Sequence, residues 1–270
     1  MQVAAVNGTH IHYRDTNPGR GNPGGARPVL VFSNSLGTDF RIWDRVIARL
    51  GDRYRIITYD KRGHGLSDGA PAPYKMADHV EDLAGLLNHL GVKGAIICGL
   101  SVGGLIAQGL AAAHPELVSK LILCDTAHKI GTAEMWNERI AAVETGGIEA
   151  LADGVLERWF SADFRANKTA ELSAWRNLLV RTTADGYAGT SAAIRDTDFT
   201  ESSAKLDVPT LCICGSEDGA TTPDLVRSTA ELIPGARFEL VEGAGHLPCI
   251  EAPDAVANLI LEFTAETVDA

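Results

Sequence analysis

The 270-residue chain lacks several features that would each point to a function. No stretch reaches 18 consecutive apolar residues, so no membrane-spanning helix is expected. The first fifteen residues carry no basic segment followed by an apolar block, which speaks against a secretory signal. No long basic run offsets a formal charge of −11, which argues against nucleic-acid or anionic-membrane partners. Cysteine is sparse and odd in number, at five, and no pair has the two-residue spacing of zinc or redox motifs. Cys98, Cys124, Cys212, Cys214 and Cys249 therefore read as free thiols, mostly buried, in a reducing compartment such as the cytoplasm. No metal site is expected from them. Aromatics make up only 6% of the chain, yet seven of them fall within residues 129–205, including three of the four tryptophans.

What is present is ordinary globular material, 45% apolar and 22% charged, long enough for one to two domains. The segment 2–14 alternates weakly around Asn7-Gly8, a strong hairpin signal. Residues 17–28, rich in Gly, Pro and Asn, read as an exposed loop. Six short Val/Ile/Leu-rich runs follow, at 28–33, 54–60, 94–99, 120–125, 208–215 and 237–241. Continuous rather than alternating, they suit parallel strands covered on both faces. Helical periodicity separates them at 40–50, 76–90, 101–114, 222–233 and 253–263. The pattern predicts an α/β fold with a mixed, mostly parallel eight-stranded sheet and helices on both faces. Residues 129–205 break the rhythm with about four helical stretches and no buried strand. They are expected to be a helical cap inserted after the sixth strand, over a core made of 1–128 and 206–270. Its aromatic rings can wall a small-molecule pocket or simply fill the cap's own core.

The sharpest chemical signal is Gly99-Leu100-Ser101-Val102-Gly103, between a buried strand and a helix. That is the setting of a nucleophile elbow, where a strained turn projects the serine from the sheet edge. Serine needs a base to take its proton. Of eight histidines, His246 follows the last strand in a glycine-rich loop, at the same sheet edge as Ser101; His128 is second. The acid that orients the imidazole is expected after the strand at 208–215, as Asp218, with Glu217 and Asp125 as alternatives. Backbone N–H groups of Leu36 and Val102 are the expected oxyanion donors, and Leu36 can also wall the pocket.

The order Ser101, Asp218, His246 and the elbow resemble the α/β-hydrolase superfamily. Tyr59-Asp60-Lys61-Arg62-Gly63-His64-Gly65-Leu66-Ser67 resembles that superfamily's turn after its fourth strand and reads as structural. The finer resemblance is to the 3-oxoadipate enol-lactonase family. It rests on Asn34-Ser35-Leu36-Gly37-Thr38-Asp39 in place of a His-Gly loop. It rests also on Lys129-Ile130-Gly131-Thr132 with Trp136, on Gly186-Tyr187-Ala188, and on Ala193-Ile194-Arg195-Asp196 with Asp198. The resemblance implies hydrolysis of the enol-lactone to 3-oxoadipate through an acyl-enzyme, with no metal or organic cofactor, late in the protocatechuate or catechol branch of aromatic degradation. A general carboxylesterase or cofactor-free perhydrolase would use the same triad; a non-catalytic receptor is the remaining alternative. The implied substrate is a small lactone carboxylate, so a local cation must receive it. The cap holds nine Lys or Arg against 12 acids. Lys129 and Arg139, flanking Trp136, are the expected substrate-binding cations, with Trp136 and Ser35 beside them.

Overall fold

The computed structural model describes residues 1–16 and 27–266. Most of the segment expected to be an exposed loop, residues 17–26, lies outside the described residues. The chain opens with β1 (Gln2–Val6) and β2 (Thr9–Asp15), paired antiparallel. Asn7 and Gly8 between them both have positive φ, 48° and 74°, as a two-residue hairpin turn requires. The six apolar runs become β3 (Val29–Ser33), β4 (Arg55–Tyr59), β5 (Ala95–Leu100), β6 (Val118–Cys124), β7 (Thr210–Gly215) and β8 (Arg237–Val241).

These strands form one eight-stranded sheet in the order β1-β2-β4-β3-β5-β6-β7-β8. β2 meets β4 antiparallel, and every later pairing is parallel. β5 and β7 are buried at every position, so both faces of the sheet centre are covered. The covering helices of the core are α1 (Asp44–Leu50), α2 (Met76–His89) and α3 (Val102–Ala113). A 3₁₀ turn, Phe40–Trp43, takes up the first part of the periodicity predicted at 40–50, capped by the Asp39 side chain. Trp43 is fully buried, tilted against Phe32 of β3, and its indole N–H donates to Asn34 at 3.1 Å. One apolar residue thus ties α1 to the loop that leaves β3.

Between β6 and β7 the chain forms α4 (Ala133–Gly146), α5 (Ala152–Trp159), α6 (Ala162–Asn167), α7 (Thr169–Val180), α8 (Ala184–Arg195) and α9 (Thr200–Ser203). Six helices stand where about four were expected. Side-chain caps at Thr132, Ser161 and Thr183 start new helices, and Gly147 at φ 69° ends α4. α8 packs along α4 and is buried over most of its length. The fold closes with α10 (Pro223–Leu232), α11 (Pro248–Glu251) and α12 (Pro253–Ala265), the last against α1. Among the described residues no helix is long and apolar enough to cross a membrane.

Candidate active site

Ser101 sits between β5 and α3 with φ 57° and ψ −120°, a conformation that costs a non-glycine residue about 1–3 kcal/mol. Its N–H donates to Cys124 at 3.0 Å and its carbonyl accepts from Thr126 Oγ1 at 2.6 Å, so β6 holds the turn from one side. The flanking glycines are needed for close approach. A Cβ on Gly99 would lie 2.2 Å from the Gly103 carbonyl oxygen, and one on Gly103 would lie 2.2 Å from that of Ser33. Val102 is the first residue of α3, so its N–H has no carbonyl to meet within the helix. Leu36 lies in the turn after β3, where Thr38 N–H and Thr38 Oγ1 both donate to the Ser35 carbonyl. The Gly37 N–H is taken by His64 Nε2 at 3.0 Å, whereas the Leu36 N–H meets no acceptor among the described residues.

His246 comes from the loop after β8 and Asp218 from the loop after β7; both are buried. His246 Nδ1–H donates to Asp218 Oδ2 at 2.9 Å, which leaves Nε2 as the free ring nitrogen. Asp218 also accepts from the N–H groups of Ala220 (2.7 Å) and Thr221 (3.0 Å) and from Thr221 Oγ1 (2.7 Å). Burial alone would raise the Asp218 carboxyl. The charge of His246 and these donors outweigh it and hold the group below its ordinary value. Glu217 is exposed one residue earlier.

The loop that carries His246 is braced by the residues that end α5. The Glu251 carboxylate accepts from the N–H of Gly245 at 2.9 Å and from Ser161 Oγ at 2.6 Å. The Leu247 N–H donates to the Trp159 carbonyl at 3.3 Å. The loop of His246 and the helices between β6 and β7 are therefore one hydrogen-bonded unit.

Ser101 and His246 line a common cavity of about 110 Å³ together with Ser35, Leu36 and Trp136. Two arginines, Arg139 of α4 and Arg158 of α5, line it as well. Arg139 lies 4.7 Å over the Trp136 ring, whose N–H is fixed on the Ile130 carbonyl at 2.7 Å. Burial and then the neighbouring Arg139 charge lower the Arg158 guanidinium below its usual value. Buried Tyr187 of α8 completes the cationic side. A larger cleft of about 390 Å³ lies behind the loop after β3, lined by Asp39, Asp60 and Arg181, and contains none of the expected triad.

Lys129 is not part of the cavity. It is half exposed and pairs with Asp198 at 2.9 Å. His128 is not part of it either, since its imidazole Nδ1 is bonded to Thr229 Oγ1 at 3.0 Å. Arg158 was not among the sequence candidates. A signal for it exists: Val155, Arg158 and Trp159 recur at three- and four-residue spacing, so an arginine shares a helix face with two buried apolar residues.

Asp125, the outlying acid candidate, ends β6 with φ 45° and is fully buried. Its Oδ1 accepts the Gly215 N–H at 2.8 Å, while Oδ2 has no donor. Ligand-type atoms of Asp125, Asp218 and His246 all lie within 4.8 Å of one another. As a metal-binding set they are poorly suited. Burial and then the Asp218 charge push the Asp125 carboxyl well above its usual range, and Asp218 already has its oxygens filled by donors.

Residues 24–259 match the family model described as alpha/beta hydrolase family. Among curated proteins, 3-oxoadipate enol-lactonase 2 of Acinetobacter baylyi is 35% identical over 234 residues, 87% of each chain. A non-heme chloroperoxidase of Streptomyces lividans is 26% identical over 276 residues, covering 97% of this chain and 98% of that one. The solved enol-lactonase of Burkholderia xenovorans LB400 superposes with a TM-score of 0.92 at 39% identity, covering 98% of this chain and 100% of that one. The elbow, the mostly parallel eight-stranded sheet and these matches agree: the chain belongs to the alpha/beta hydrolase family, with 3-oxoadipate enol-lactonases among its relatives.

Proposed function

We propose that this protein is a serine hydrolase that opens 3-oxoadipate enol-lactone to 3-oxoadipate, with residues 129–205 as a cap over the site. The observation that carries the reading is the pair Arg139 and Arg158 on the wall of the cavity that holds Ser101 and His246. A compact cavity with two cations suits a small carboxylate, and the enol-lactonases named above are relatives along nearly the whole chain. The cations also answer the overall charge of −11, which by itself repels an anion.

In this reading Ser101 Oγ attacks the lactone carbonyl while His246 Nε2 takes its proton. Asp218 holds the imidazole through Nδ1–H and stabilises the cation that forms. The N–H groups of Leu36 and Val102 receive the tetrahedral oxyanion. Collapse breaks the ring C–O bond and releases an enol oxygen, a better leaving group than an alkoxide, which takes a proton and becomes the ketone. The leaving group stays tethered, so the acyl-enzyme carries the whole product. His246 then activates water to free it. Arg139 and Arg158 hold the substrate carboxylate, with Trp136 against the ring. No cofactor takes part in any of these steps. A neutral ester would leave both guanidinium groups unused, which weighs against a general esterase or perhydrolase. Five thiols, all free and buried, suit a reducing compartment such as the cytoplasm.

The test is loss of enol-lactone absorbance with wild type and Ser101→Ala. Wild type is expected to turn over the lactone faster than a short neutral ester, and the variant is expected to turn over neither. Good esterase activity with no lactone turnover would overturn the substrate and leave the nucleophile standing.

A further inference from the structure

The turn after β4, read from sequence as structural, reaches directly into the loop that carries Leu36. Lys61 is 1% exposed. Its Nζ donates to the Ser35 carbonyl at 2.5 Å and lies 3.5 Å from that of Thr38. His64, three residues on, takes the Gly37 N–H on Nε2 and donates its Nδ1–H to the Arg62 carbonyl at 3.1 Å. Two carbonyls and one N–H of the segment 35–38 are therefore gripped from behind, and the Leu36 N–H is not taken up in this grip.

A buried ammonium on neutral carbonyls is a costly way to hold a loop. The two nearby carboxylates attract Lys61 only at a distance, because each is bonded elsewhere. Asp60 takes His12 Nδ1 at 2.8 Å and the N–H groups of Phe40 and Leu66. Asp39 is bound by the Arg41 guanidinium. What the charge adds is stiffness, since an ammonium grips a carbonyl harder than a neutral donor does.

We propose that Lys61, as its ammonium, is a positioning residue for the oxyanion hole, so that turnover rather than substrate binding depends on its proton. The proposal rests on the serine-hydrolase part of the function above, not on the identity of the lactone.

Burial lowers the Lys61 ammonium from its usual 10.5 to about 7, against the pull of Asp60 and Asp39. The other titratable groups that feel its charge are His64 of the same turn and His79 of α2. Burial and then the Lys61 charge hold His64 well below its ordinary value and bring His79 down to about 3, so neither gains a proton near neutrality. Raising the pH through 7 then removes the ammonium and loosens the loop. Stability moves the other way. The folded chain releases this proton near 7 and the unfolded chain near 10.5, so the unfolded state binds more protons in between, and this group makes stability rise with pH across that window.

The experiment measures kcat and KM for 4-nitrophenyl acetate from pH 5.5 to 9.5, with thermal melting alongside, for wild type, Ser101→Ala and Lys61→Gln. Wild-type kcat is expected to fall at least threefold above pH 7 with KM within twofold and no loss of melting temperature. Lys61→Gln keeps a donor but has no proton to lose; its kcat is expected about tenfold below wild type at pH 6.5, without the alkaline fall. A kcat within twofold of wild type, an effect on KM alone, or an alkaline fall that persists in Lys61→Gln overturns the proposal. Should that variant fail to fold, wild type decides alone, and a flat kcat from pH 6.5 to 9 overturns it. A wild type that hydrolyses no ester and takes no fluorophosphonate on Ser101 overturns the serine-hydrolase reading itself, a result distinct from the others.

Discussion

Replacing Asp125 by Asn should stabilise the protein, and the gain should grow with pH. Asp125 is fully buried beside Asp218, with one oxygen on the Gly215 N–H and the other without a donor. Burial first, and the Asp218 charge second, keep its carboxyl protonated far above the usual range. In the unfolded chain the same group ionises at about 3.9. The folded state therefore binds a proton that the unfolded state has lost, and stability falls as pH rises from near 4 until the folded group ionises. The slope is about 1.4 kcal/mol per pH unit. Asn keeps an oxygen for Gly215, turns an NH₂ toward Asp218 and has no proton to bind. For each pH unit above about 4 over which the folded carboxyl keeps its proton, the gap between variant and wild type widens by that amount. Urea unfolding at pH 4, 5, 6 and 7 measures it. Parallel stabilities for the two proteins across that range, or an Asn variant less stable at pH 6, would refute the assignment of the proton. Asp125→Leu is the contrast: it leaves the Gly215 N–H unpaired at a cost of about 1–3 kcal/mol.

Two other substitutions separate the roles within the cavity. Arg158→Ala should raise KM for the enol-lactone about 10- to 100-fold, the worth of a charge-assisted hydrogen bond of about 1.5–3 kcal/mol, whereas Lys129→Ala should leave it within twofold; steady-state kinetics on both variants checks the contrast. Asp218→Asn should lower kcat by about 10⁴ while KM stays close to wild type, because the amide favours the wrong imidazole tautomer; a loss under tenfold would move the role of acid away from Asp218.

The sheet was legible because its signals are local. Asn7-Gly8 determines its own backbone, and runs such as 94–99 have no polar face to offer solvent. The elbow was legible for the same reason, since strand, Gly-x-Ser-x-Gly and helix are contiguous. Of the two cations on the cavity wall, only Arg139, close to Trp136 in sequence, was legible. Lys129 neighbours Trp136 in sequence, but Asp198, far along the chain, draws its ammonium to the surface. Arg158 is distant from every motif and reaches the cavity only because α5 ends against the loop of His246. Lys61 illustrates the same limit from the other side. The turn 59–67 reads as structural without a partner for its lysine, and only the tertiary fold places the loop after β3 over it.

The brace at Glu251 has a consequence for how the enzyme can diverge. The same carboxylate binds Gly245, the residue before His246, and Ser161, which opens α6. Remodelling the inserted helices therefore does not leave the loop of His246 untouched. Trp159 lines the cavity and its carbonyl binds the loop of His246, so, on the proposed roles, a change of cavity shape at this point also shifts the aim of the imidazole.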